Sequence, residues 1–174
     1  MTMTPGLRKF ALTVHIAISV GWVGAVVAYI GLVIAGLTSQ DAQTVRATYL
    51  AMELIVRYVV VPLAFASLLT GIVQSLGTPW GLFRHYWVLV SFLLTIIATI
   101  VLLTQLEPIN YMASIAAEME SADSLRGGPW SQLLHPIGGL LVLLLILVLN
   151  VYKPQGMTRY GWRKQQEQRK VSQP

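Results

Sequence analysis

Apolar residues gather into four long runs, at about residues 10–37, 47–73, 86–106 and 130–152, with short polar stretches between them. A helix needs about 20 apolar residues to cross a hydrocarbon core roughly 30 Å thick, and each run meets that length. The pattern predicts an all-α fold, a bundle of four transmembrane helices. Thr4 and Pro5 place a cap residue and a first-position proline ahead of the first run. The apolar stretch of a cleavable leader is only about 7 to 15 residues. The first run is therefore read as a retained span, tilted because it exceeds the bilayer thickness.

Smaller features modulate this pattern. Met112, Ile115, Ala116 and Met119 recur at helical spacing, which predicts a short interfacial helix or a continuation of the third helix, ended by Gly127, Gly128 and Pro129. Pro62 falls inside the second run and predicts a kink there, and Pro136, Gly138 and Gly139 loosen the start of the fourth. Trp80, Tyr86, Trp87, Trp130 and Tyr152 stand at span ends, as an aromatic belt does. Ala17, Gly21, Ala25 and Ala28, with Gly24 and Gly31 beside them, form a small-residue stripe on the first helix. Such a stripe lets helix backbones approach closely in lipid.

Composition agrees with a lipid solvent. Of 174 residues, 55% are hydrophobic and only 11% charged, against about 25% charged in a soluble domain. The absence of cysteine excludes disulfides, thioether-linked haem, thiolate metal sites and a cysteine nucleophile. The net charge of +5 is no nucleic-acid signal, because nine of the twelve basic residues collect at one end of the predicted bundle. They are Arg8, Lys9, Arg84, Lys153, Arg159, Arg163, Lys164, Arg169 and Lys170. Arg46 and Arg126 lie at the other end, and Arg57 within a helix. The positive-inside rule then puts both termini in the cytoplasm, of a bacterial inner membrane. Glu107, Glu118, Glu120 and Asp123 fall in the loop on the opposite side. Residues 154–174 form a basic tail, suited to anionic headgroups or to a docking partner.

Ionisable residues within spans are the default functional candidates. His15 shares a helical stripe with Ser19, Trp22, Val26 and Tyr29. His85 opens the third span beside Arg84, in the same half of the bilayer, whereas His135 lies in the opposite half. Two histidines at similar depth on facing helices can ligate one haem, with Arg84, Arg8 and Lys9 placed to pair with its propionates. Glu53 and Arg57, four residues apart in the favourable acidic-first order, lie at the depth of His135 and Gln132. Buried together, Glu53, Arg57 and His135 would suit a quinone headgroup or a proton relay. As a structural ion pair, Arg57 would instead snorkel outward. No nucleotide loop, HExxH motif or Ser/His/Asp set is present.

At ALTVHIAISVGWVGAV, SLLTGIVQSLGTPWGLFRHYWVLV and VYKPQGMTRYGWRK the chain resembles a family of small bacterial four-helix integral membrane proteins. That resemblance implies fold and location without an activity. The first segment is also distantly similar to the opening helix of cytochrome b561 and copper-resistance D type membrane proteins, in which a histidine near one end precedes Trp-x-Gly. Ser91 departs from the first family, whose members often carry a lysine there, and His135 lies outside the shared segments.

The expected function is a b-type haem protein that transfers electrons, with quinone as a candidate partner, His15 and His85 as axial ligands, and Arg84 beside the haem. The alternative is a non-catalytic membrane subunit or assembly factor that packs against a larger complex through the small-residue stripe and basic tail. A small transporter acting as a homo-oligomer is the third reading.

Overall fold

The computed structural model describes residues 3–78, 81–118 and 130–171. Trp80, Met119, Glu120, Asp123, Arg126, Gly127, Gly128 and Pro129 lie outside the described residues. Four continuous helical segments are long and apolar enough to cross a membrane: Pro5–Thr38, Ala42–Leu76, Tyr86–Glu118 and Leu134–Tyr152. The protein is an all-α bundle. Among the described residues, extended pairing is confined to an isolated bridge between His85 and Met157.

The first segment is α1 (Pro5–Thr38). The second comprises α2 (Ala42–Ile55), a π-helical turn (Val56–Val60) and α3 (Val61–Leu76). The third comprises α4 (Tyr86–Thr104) and α5 (Leu106–Glu118). A 3₁₀ turn (Trp130–Leu133) leads into α6 (Leu134–Tyr152), and α7 (Arg159–Val171) follows. Within the bundle α1 packs on α3 and α6, and α4 packs on the same two helices, which closes a ring of four.

Proline causes the two interruptions within the long segments. Pro62 has no N–H to give the carbonyl four residues back, and the chain relieves that loss by widening into the π turn just before it. The expected kink takes this form. Pro108 does the same to the carbonyl of Thr104. The helix breaks at Gln105, whose N–H turns to the carbonyls of Leu102 and Leu103, before α5 resumes. The continuation reading of this region therefore holds for Leu106–Glu118.

Three segments have 34, 35 and 33 residues and the fourth has 19, so at 1.5 Å per residue three reach about 50 Å and one about 28 Å. Only the short one matches the hydrocarbon thickness. The ends are level on the basic side, where the Met3 N–H donates to the Gly77 carbonyl and the Tyr86 N–H to that of Gly156. The excess length therefore projects beyond the other face. There, Val33, Val45, Tyr49, Met52 and Ala116 form a separate core, outside the slab. α2 buries Val45, Thr48, Tyr49 and Met52 on one face, and its first turn is capped by Asp41, whose carboxylate accepts from the Thr44 N–H at 2.8 Å. The helices thus extend past the apolar runs at this end.

The small-residue stripe divides. Ala25 is buried in the membrane core with Ala64, and Gly21 faces Leu63. Ala17, Gly24, Ala28 and Gly31 are exposed.

The basic tail is not a free extension. Lys153 ends α6 in the left-handed conformation, and the following residues run beside the loop before α4. The Thr158 N–H donates to the Arg84 carbonyl at 3.0 Å, and the Thr158 hydroxyl accepts from the Gly161 N–H at 3.0 Å, which caps α7. Gly161 lies so close to the Arg84 carbonyl that a Cβ there would collide with it. Gly161→Ala should therefore undock α7, because overpacking costs about 1–3 kcal/mol, which corresponds to a roughly ten- to hundredfold rise in tryptic cleavage after Arg163. Gly156→Ala meets only Tyr86 Cδ2 at 3.6 Å and should cleave like the parent.

Two chambers within the bundle

The membrane ring encloses two spaces separated by Trp22 and Leu143, which are 3% and 6% exposed and contribute to both walls. The chamber toward the basic end has a volume of about 690 Å³. That volume lies within the range of cofactor sites, about 300–1,000 Å³. Its walls come from α1, α3, α4 and α6, with Arg8, Lys9 and Lys153 among its lining residues. Ile16, Val20 and Leu147 also line it and are themselves exposed on the outside of the bundle, so it reaches the lipid laterally.

His15 stands on this wall, packed against α3. Its Nδ1 lies 2.9 Å from the Thr70 hydroxyl, and that hydroxyl donates its single proton to the Ala66 carbonyl at 2.7 Å. With that proton directed at the carbonyl, Thr70 accepts from the imidazole, the tautomer in which Nδ1 carries the proton and Nε2 keeps its lone pair. This is the arrangement found when a histidine ligates a metal, its other ring nitrogen held by an outer partner. Ser19 and Ser67 share a hydrogen bond of 3.3 Å next to it.

Opposite His15, α4 turns Trp87, Ser91, Thr95 and Thr99 inward at four-residue spacing. Thr95 and Thr99 return their hydroxyls to the carbonyls one turn back, at 2.8 Å each. The Ser91 hydroxyl makes no hydrogen bond although the residue is only 6% exposed, and Gln74 Oε1 is likewise buried and unsatisfied. Both residues line the large chamber. Sequence reasoning missed this hydroxyl stripe. Its signal was the i, i+4, i+8 recurrence of Ser91, Thr95 and Thr99 within an otherwise apolar helix.

His85 and Arg84 are placed elsewhere. His85 precedes α4 in extended conformation, bridges to Met157 and lies 6.5 Å from Trp87 between ring centroids. Neither residue is among those lining the chamber, and the Arg84 carbonyl receives Thr158. The reason is depth. α1 starts at Pro5, so His15 sits ten residues, about 15 Å, inside it, whereas His85 lies outside the first turn of α4. The expected meeting of His15 with His85 is therefore not made. Of the three expected cations Arg8 and Lys9 line the chamber, joined by Lys153.

The second chamber, of about 110 Å³, lies toward the opposite face and is lined by Tyr29, Gln105, Gln132 and His135 amid apolar side chains. Glu53 and Arg57 do not line it. They pair with each other at 3.1 Å, Arg57 also donates to Asn110 Oδ1 at 3.2 Å, and both stand open to the surroundings, 28% and 50% exposed. Among the described residues no hydrogen bond or ion pair joins His135 to either. The expected three-residue site thus separates into an outward ion pair and a histidine on a chamber wall.

An unmade buried hydrogen bond costs about 1–3 kcal/mol. Ser91→Ala should therefore raise the ligand-free protein's stability by roughly 1 kcal/mol, seen as a higher unfolding midpoint in detergent. A fall in that midpoint would show that the hydroxyl has a partner within the protein.

No protein-family profile, curated protein or solved structure matches this chain.

Proposed function

We propose that the chain is a b-type haem protein of the bacterial cytoplasmic membrane, its basic end inward, with the large chamber as haem site and His15 as axial ligand. The observation that carries this reading is His15 itself, fixed through Nδ1 by Thr70 on the wall of a 690 Å³ chamber with Nε2 left to ligate. Arg8 and Lys9 line the same chamber and suit two propionates, since charge-assisted pairs are the strong ones. The apolar walls, with Trp22 and Leu143 at the inner end, suit the macrocycle. Bound there, haem would supply one-electron transfer, and a quinone dissolved in the bilayer is the fitting exchange partner. His85 takes no part in the site in this reading.

The exposed small residues of α1, Ala17, Gly24, Ala28 and Gly31, favour the second reading, a subunit packed against another membrane protein. Colour separates the two. Protein purified after expression with ample haem should show a Soret band that shifts on reduction, and His15→Ala should lose it. His85→Ala should keep it. Thr70→Val, which removes the outer partner, should weaken haem retention about 10- to 100-fold. A colourless parent protein, or a Soret band unchanged in His15→Ala, would overturn the haem reading.

A further inference from the structure

The outer chamber has a different chemistry from the inner one, and we infer that it is a second ligand site, for a neutral, lipid-soluble six-membered ring bearing carbonyl or hydroxyl oxygens, the quinone class. This deepens the reading above. The redox use of such a ring rests on haem being bound next door, whereas its binding does not.

Size limits the ligand first. An apolar cavity of about 150 Å³ accepts benzene, so 110 Å³ with an open side admits one ring and leaves any chain outside. Charge limits it next. No Asp, Glu, Lys or Arg is among the lining residues, in contrast to the cations of the inner chamber, and an ion would have no counter-charge. The route of arrival is lateral, because Val101 lines the chamber and is 43% exposed on the bundle's outside. His135, also on the wall, is exposed as well. The ligand therefore comes from the bilayer.

Hydrogen-bonding capacity then selects for oxygen. Tyr29, Gln105, Gln132 and His135 reach the space from α1, the break before α5, the 3₁₀ turn and α6. Among the described residues these four side chains make one side-chain hydrogen bond, the Tyr49 hydroxyl donating to Gln132 Oε1 at 3.3 Å. Imidazole, amide and phenol groups can each donate to a ring carbonyl and each accept from a ring hydroxyl. Glu53 and Arg57 are not needed.

Gly139 allows a clean test, because it lines the chamber and a Cβ built there meets nothing within 4 Å. A leucine at that position starts in open space on the chamber wall and is expected to occupy part of the chamber. The full-length protein in lipid nanodiscs would be titrated with a short-chain benzoquinone, read by quenching of the fluorescence of Trp22, which forms part of the wall. Trp22→Phe identifies its share of the signal. Saturable quenching is expected in the parent, with the affinity weakened at least tenfold in Gly139→Leu and in His135→Ala, and with the same affinity in His15→Ala even as that variant loses its Soret band. Soret absorbance in Gly139→Leu reports that this variant is folded if the parent binds haem; monodisperse sizing does so if it does not. Quenching that fails to saturate in the parent, or equal affinity in Gly139→Leu and His135→Ala, would overturn the site whatever the outcome for haem.

Discussion

A backbone carbonyl inside hydrocarbon has no water to turn to, so each proline in a spanning helix strands an acceptor that the protein must satisfy or relax around. This chain carries two such prolines toward one end of its bundle, and a third, Pro136, in the first turn of α6, where its missing N–H has no intrahelical partner to lose. Pro62 follows a π turn at Val56–Val60, Pro108 follows a break at Gln105, and Pro136 follows a 3₁₀ turn at Trp130–Leu133. All three adjustments converge on one place: Val56, Val60, Gln105, Gln132 and Pro136 line the outer chamber. The chamber lies where three of the four helical segments depart from a regular α-helix. Its amide groups enter a membrane interior there, since Gln105 and Gln132 sit at element boundaries where a regular apolar face is interrupted.

Helix length supplies the second constraint. With the basic ends held level by the pairing of Met3 with Gly77 and of Tyr86 with Gly156, the surplus of three long segments over the 19-residue α6 has only one direction in which to go. The resulting cap has a core of its own, and the two cores obey different physics. In the cap, burial of Val45, Tyr49 and Met52 removes apolar surface from water, at about 1.5–3 kcal/mol for a large side chain. Around Trp22, Ala25 and Ala64 lipid is as apolar as the protein, and close packing must hold the helices instead. Arg46 closes the cap by donating to the Ala117 carbonyl at 2.7 Å, a cation at the end of α5 where the helix dipole favours one.

Much of this is legible in the sequence and some is not, for definite reasons. The four spans follow from apolar run length alone, because hydrocarbon tolerates so little else. Helix ends do not, since polar residues such as those of α2 continue a helix once a second core exists to receive Val45 and Met52. The site was half legible. His15 stood out as a titratable group within a span, but its partner Thr70 lies 55 positions away, and no periodicity links them. His85 stands where the sequence puts it, at the start of α4, but His15 lies deeper than its apolar run suggests, because hydropathy marks where residues turn apolar and not where the helix begins, five residues earlier in α1. The tail read as a charge run, whereas Thr158 and Gly161 give it a cap and a docking point that composition does not register.

The two chambers share one wall, which makes their contrast informative. Trp22 and Leu143 are continuous with both spaces, yet the lining on one side includes Arg8, Lys9 and Lys153 and on the other no charge at all. Charge is costly in a membrane, and cationic side chains stay where they can reach an interface; the larger chamber therefore opens toward the basic end and suits an anionic amphiphile. The smaller one has amides, an imidazole and a phenol, which are affordable in lipid only when they find hydrogen-bond partners. Tyr49 reaches Gln132 and supplies part of that demand. The remaining capacity of the wall is what gives a neutral oxygen-bearing ring an advantage there over plain hydrocarbon.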